Sequence, residues 1–173
     1  MVDISIIGKN SIKVKGKEAT FIVDPEKDMP KTAVDAVIIL RASENIDPSR
    51  ATESRITING AGGYEVGGAK ISGTTTSKGT LYRISIDGIT VILGKASETK
   101  AEGFSSCQVL VVNADSDFNQ SFVTALEPKI TALYGENKNE SAKALGAESV
   151  SSVSKLTVTK DKLPEKMEIV VLN

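Results

Sequence analysis

No histidine occurs among the 173 residues. The commonest zinc ligand and the usual general base at neutral pH are therefore missing, as is every nucleophilic triad built on an imidazole. Lysine, serine, threonine and the carboxylates remain for chemistry. Ser97-Glu98-Thr99-Lys100 and Ser152-Val153-Ser154-Lys155 each spell Ser-x-x-Lys, a pattern of serine β-lactamases, but neither Ser-Asp-Asn nor Lys-Thr-Gly accompanies them, so both read as chance matches. Asp115-Ser116-Asp117-Phe118-Asn119 has the opening spacing of a calcium loop. Gln120 stands where the sharp turn needs glycine and Leu126 where the bidentate glutamate belongs, which leaves a helix-capping loop. The glycines from Gly60 to Gly68 lack both the Gly-Lys-Ser/Thr ending of a phosphate loop and the spacing of a dinucleotide fingerprint, and read as turn and packing residues. Cys107 has no second cysteine to pair with and opens an apolar run, as a buried packing residue does.

Composition narrows the classes further. A length of 173 residues is enough for one domain with a sizeable core, and a single domain over 1–173 is expected. Hydrophobic residues at 40% and charged residues at 25% describe an ordinary globular chain. With 21 basic against 22 acidic residues spread along the sequence, there is no electrostatic footprint for nucleic acid or an anionic membrane. The start, Met1 to Gly8, has neither the basic region nor the apolar stretch of a signal peptide, so a cytoplasmic location is expected.

The elements that must position any site are β-rich at first. Short β-branched runs mark strands over 3–8, 11–15, 19–24, 34–41, 55–59, 64–73, 80–87 and 89–94, with Lys15-Gly16-Lys17 and Asp87-Gly88 as turns, and together predict a run of antiparallel hairpins. Beyond Gly94 the pattern changes. Helices are predicted over 117–126, with Asp117 as N-cap, and over 139–145, stopped by Gly146; the apolar runs 108–112, 129–133, 153–159 and 167–172 are strands between and after them. Two sheets sharing one core in an α/β or α+β domain accommodate this order.

Taken in order, these segments resemble the metallo-β-lactamase superfamily, in particular its small zinc-dependent hydrolases and the L-ascorbate-6-phosphate-lactonase-like group. The resemblance runs the length of the chain. Ile4 to Gly8 stands where the family has a strand ending in Gly-His-Ser, Phe21-Ile-Val-Asp24-Pro25 is similar to its Leu-Ile-Asp-Pro, and Val34-Asp35-Ala-Val-Ile-Ile39 to its Ala-Asp-Ala-Val strand. The strongest piece is Asn59-Gly-Ala-Gly-Gly-Tyr64-Glu-Val-Gly-Gly68, similar to Asn-Gly-Pro-Gly-Glu-Tyr-Glu-Val-Gly-Gly. Thr80 to Ile89 resembles the hairpin before the family's Gly-Asp ligand, and 126–130 and 155–172 resemble its last helix end, strand and tail. The resemblance implies a four-layer αββα sandwich with two mixed sheets face to face.

It also implies a zinc site, and the ligands are not there. The family's Thr-His-x-His-x-Asp-His segment corresponds to Leu40-Arg41-Ala42-Ser43-Glu44-Asn45-Ile46-Asp47. A further histidine falls in Thr74 to Ser77, the last at Tyr134-Gly135, and the bridging aspartate of Gly-Asp is Lys95. The vestigial positions are then Lys9, Arg41, Ser43, Glu44, Asn45, Asp47 and Lys95. No catalytic residue, cofactor or zinc is expected, and the fitting role is a non-catalytic hydrolase relative kept for binding or assembly. Two alternatives stay open: a hydrolase of another chemistry drawing on Lys9, Ser11, Ser43, Glu44, Asp47, Lys95, Ser97 and Glu98, or a magnesium or manganese site from Asp24, Glu44, Asp47 and Glu98. A protein-only network is expected where the metals were, with Lys9, Arg41 and Lys95 facing Glu44, Asp47 and Glu98. The ligand or partner is not legible, and a homo-oligomer is left open.

Overall fold

The computed structural model describes residues 1–99 and 103–173. In chain order the strands are β1 (Val2–Ile7), β2 (Ser11–Lys15), β3 (Thr20–Val23), β4 (Thr32–Ala33), β5 (Ala36–Ile38), β6 (Ala51–Thr52), β7 (Ile56–Ile58), β8 (Gly62–Val66), β9 (Ala69–Thr76), β10 (Gly79–Ile86), β11 (Ile89–Lys95) and β12 (Val109–Asn113). Helix α1 (Gln120–Ala125), β13 (Ile130–Tyr134), α2 (Lys138–Ala144), β14 (Ser151–Val153), β15 (Lys155–Val158) and β16 (Glu168–Leu172) complete the chain.

These strands make two mixed sheets and a short pair. The first sheet has the order β15-β1-β2-β3-β5-β7, the second β14-β16-β13-β12-β11-β10-β9-β8, and β4 pairs β6. Alternation along each strand explains why the sheets face one another. Ile4, Ile12, Val14, Phe21, Val23 and Ile38 of the first sheet and Ile71, Tyr82, Ile84, Val91, Val111 and Ala132 of the second form one buried cluster. The alternate residues of the second sheet, among them Leu81, Ile92, Leu110, Val112 and Leu133, pack outward against Phe122 and Val123 of α1 and Ala142 of α2. Over the first sheet the outer layer is thinner. Ile22 and Val37 are covered by Met29, Val34 and Ala51, carried by the segments around the 3-10 turn at Pro48–Arg50.

Several expectations need revising. The first half is not hairpins throughout, because β3, β5 and β7 run parallel. Parallel pairing needs a crossover, which here is made by segments 24–35 and 39–55. The run 64–73 is not one strand: Gly67 (φ +56) and Gly68 (φ +77) turn it into the β8–β9 hairpin, the two positive φ values that a tight hairpin turn demands. The run 153–159 is divided too. β14 joins the second sheet and β15 the first, so the chain crosses between sheets at Ser154. Helix α1 begins later than Asp117, at Gln120, because the side chain of Asn119 accepts from Ser121 N at 3.1 Å and is the cap. Among the described residues no helix is long and apolar enough to cross a membrane.

The β8–β9 turn yields a graded test. A Cβ at Gly68 would meet nothing within 4 Å and suffer only the positive φ, costing about 1–2 kcal/mol. At Gly67 it would also lie 2.6 Å from the carbonyl oxygen of Glu18. Urea unfolding should therefore find Gly67→Ala distinctly less stable than Gly68→Ala; equal losses would mean that the turn does not press on residues 18–19.

Candidate functional site

The carboxyl ends of the parallel strands of both sheets open toward the same edge of the sandwich, where ligands gather in layered α/β folds. The chain leaving β3 reaches Asp24, held at φ +49 and fully buried. Ser11, buried on β2, fixes this corner: its Oγ donates to Asp24 O at 2.7 Å and accepts from Glu26 N at 3.0 Å. The chain leaving β5 brings Leu40 and Arg41 alongside. Asp24 Oδ1 accepts from Leu40 N at 2.7 Å and Arg41 N at 3.1 Å, and Asp24 Oδ2 accepts from Arg41 Nε at 2.8 Å.

The rest of the Arg41 guanidinium reaches across the cleft. Nη2 donates to Glu26 Oε1 at 2.9 Å and to the Asn10 carbonyl at 3.3 Å. Nη1 donates at 3.1 Å to Asp115 Oδ2, which follows β12 in the other sheet. Asp115 is itself held, by Asn113 Nδ2 at 3.0 Å, Asn10 Nδ2 at 3.4 Å and Glu136 N at 2.9 Å. Gly135 makes this approach feasible, since a Cβ there would collide with Asp115 Oδ1. Three carboxylates from two sheets thus converge on one cation.

The electrostatics follow from burial and pairing. Burial pushes the Asp24 carboxyl up, and Arg41 with the N–H donors pulls against it. Three N–H donors and no competing acceptor meet this carboxylate, which is the surrounding of an ionised acid. Burial works most strongly against charge on Arg41, but Asp24, with Tyr134 and the Glu26 hydrogen bond adding to it, holds the guanidinium protonated above its usual value. Tyr134 lies beside this group, fully buried, its hydroxyl without a hydrogen-bond partner among the described residues. Burial drives its phenol well above the usual range, reinforced by Asp24 and opposed by Arg41. It is a neutral neighbour.

The other expected residues go elsewhere. Lys9 is exposed and contributes its backbone N–H to Asp28 Oδ2 at 3.1 Å. Ser43, Glu44 and Asn45 lie exposed on one turn, with Asn45 N donating to Ser43 Oγ at 3.2 Å. Asp47 caps the 3-10 turn through Ser49, whose side chain holds the carboxyl below its usual value. Lys95 Nζ donates to the Lys78 carbonyl at 2.6 Å, and among the described residues it pairs with no acid. Glu98 is fully buried; Oε1 accepts from Thr76 Oγ1 at 3.0 Å, and Oε2 has no donor among the described residues. Ser97 is half-buried, and Lys100 of its Ser-x-x-Lys lies outside the described residues.

Of the expected network, then, Arg41 takes part and its partners are Asp24, Glu26 and Asp115 instead of Glu44, Asp47 and Glu98. Asp24, Glu44, Asp47 and Glu98 do not make a magnesium or manganese site: among the described residues no group of three or more Asp, Glu, Cys or His is placed to hold a metal ion. Glu26, Asn10 and Asp115 were missed as partners. Asp115 carried a signal, its place in an acidic run directly after a buried strand. Cys107 is buried against the helical side of the second sheet, and burial pushes its thiol up to about 12, far from a nucleophile.

Comparison with known proteins locates the fold. A protein from Thermotoga maritima assigned to the Zn-dependent hydrolases of the metallo-β-lactamase superfamily is 19% identical, with 99% of this chain and 98% of that chain covered and a TM-score of 0.79. The metallo-β-lactamase fold protein YhfI from Bacillus subtilis is 11% identical over 98% and 95% of the two chains, TM-score 0.61. Igni18, a metallo hydrolase from the archaeon Ignicoccus hospitalis, is 15% identical over 98% and 95%, TM-score 0.61. No family model matches the chain, and no curated protein matches it. At these identities the likeness establishes the fold: the chain has the metallo-β-lactamase fold.

Glu98 supplies a signed prediction. Burial raises its carboxyl, against the pull of the Thr76 hydrogen bond and of Lys95 and Lys78. The folded state then holds this proton more tightly than the unfolded state, so stability falls as pH rises from the unfolded carboxylate range through the raised folded value. Glu98→Gln should melt higher than the parent at neutral pH, with the gain vanishing in acid. A variant less stable at neutral pH would show that the charge is needed where it lies.

Proposed function

We propose that this chain is a metallo-β-lactamase-fold protein that does not perform metal-dependent hydrolysis and serves in binding or assembly. The observation that carries this reading is the Arg41 guanidinium, hydrogen-bonded to Asp24, Glu26 and Asp115 where the two sheets meet. A zinc pair does not fit these residues. Zinc hydrolases draw on imidazoles and a bridging carboxylate, and the chain has no histidine to offer. Each of the converging acids already accepts an N–H of the Arg41 guanidinium, so a positive side chain lies among them. A divalent ion placed there would meet repulsion as well as crowding.

The hydrolytic step itself lacks its agents. Such reactions at neutral pH need either a metal-bound hydroxide or a nucleophile beside a base. Among the described residues this centre has a neutral phenol at Tyr134, a guanidinium that stays protonated, and the carboxylates of Asp24, Glu26 and Asp115 already hydrogen-bonded to that guanidinium. Ser11, the buried hydroxyl of this corner, is occupied with the backbone on both sides. Binding remains as the use for an edge whose loops are fixed so firmly.

Protein purified without chelator should contain zinc, manganese and iron far below one equivalent by elemental analysis, and EDTA should leave its melting curve unmoved. Hydrolysis of β-lactams, phosphodiesters and lactones should stay at background. One or two equivalents of tightly held zinc, or turnover abolished by chelator, would overturn the reading.

A further inference from the structure

We infer that Arg41 is a tethered internal cation that fastens the two sheets together at the open edge of the sandwich. The inference rests on the metal-free reading above and goes beyond it, because it assigns the acids of the cleft to a purpose. Asp24 and Glu26 belong to the first sheet's edge and Asp115 to the second's. Asn10, from the β1–β2 turn, touches both sides of the same centre, through its carbonyl to Arg41 and its amide to Asp115.

Geometry separates this group from an ordinary surface ion pair. The guanidinium is mostly buried, with 13% of the side chain exposed, and Asp24 is at 0%. Exposed pairs contribute little, whereas a buried charge deprived of its partner is strongly destabilising. The planar fork matters too. Nε, Nη1 and Nη2 each donate to a different carboxylate. A lysine ammonium is a compact point at the end of a flexible stem and lacks this rigid fork.

Thermal unfolding of the full chain, without added metal, tests the inference. Arg41→Met keeps much of the aliphatic bulk and leaves three acids facing one another. It should lower Tm by roughly 10 °C or more near neutral pH. The loss should shrink as pH falls, because acid neutralises Asp24, the buried carboxyl left without its cation; the phenols of Tyr134 and Tyr82, which also face it, are driven above their usual range by burial and stay neutral. Adding Asp24→Asn, Glu26→Gln and Asp115→Asn to Arg41→Met should recover much of the lost Tm. Arg41→Lys should recover only part. A role confined to packing would give a pH-independent loss that neutralising the acids does not mend, and that result overturns the inference. So does an Arg41→Met protein that melts with the parent. Should Arg41→Met not fold, Asp115→Asn reads the seam alone: a Tm lower by several degrees supports the fastening, and no change refutes it. Stoichiometric zinc in the parent would instead refute the metal-free reading, an outcome recorded by elemental analysis and not by any of these melts.

Discussion

A charge carried into the seam between two sheets must be matched from both sides, and Arg41 meets that condition. Its guanidinium is surrounded by acids that arrive from different strands, so the position of each depends on the others. Removing Arg41 leaves the fully buried Asp24 without its cation, the costliest loss in the set. The loops at this edge inherit their conformation from that requirement. Ser11 pins the Asp24–Glu26 corner, Asp47 N binds the Pro25 carbonyl at 2.6 Å, and Glu136 N binds Asp115.

The remainder of the fold supplies the platform. Two sheets whose inner faces alternate in register bury a common apolar core, which fixes how far apart the strand ends lie. Parallel pairing of β3 with β5 brings Asp24 and Arg41 together, and that of β12 with β13 brings Asp115 beside Gly135. A segment that crossed over in the wrong direction would deliver none of these side chains to the same edge. Ser154 adds a second link at the far margin, where the chain passes from one sheet to the other.

Much of this was legible beforehand. β-Branched runs with glycine and Asp-Gly turns located most strands, and the lack of histidine ruled out an imidazole-based site before any coordinates. What sequence could not resolve was pairing. A run such as 64–73 alternates as one strand would, and only the double positive φ at Gly67 and Gly68 reveals a hairpin. The cationic centre was legible in part for the same reason. Arg41 could be placed among the altered segments from order along the chain, but its partners depend on three-dimensional convergence from 24–26 and 115. Glu44 and Asp47, nearer in sequence, face solvent or cap their own turn. Proximity along the chain was the wrong guide, because a long arginine bonds across the cleft more readily than back along its own loop.

Stability alone does not explain why such a group persists. An apolar set of similar volume could replace a buried ion pair at no loss, and sometimes with a gain, since desolvating charges is costly. The orientation of the edge is different. Apolar side chains would bury the same space in many arrangements, whereas a planar cation satisfied by three fixed acids permits few. Asp24 makes the point locally: it sits at positive φ, a conformation unfavourable for any residue with a Cβ, and it is stabilised there because its carboxylate meets two backbone N–H groups and the guanidinium at once. The strained corner and the buried cation are therefore one device. The exposed turn at 43–45 joins the same corner, Lys27 N donating to the Asn45 carbonyl at 3.0 Å.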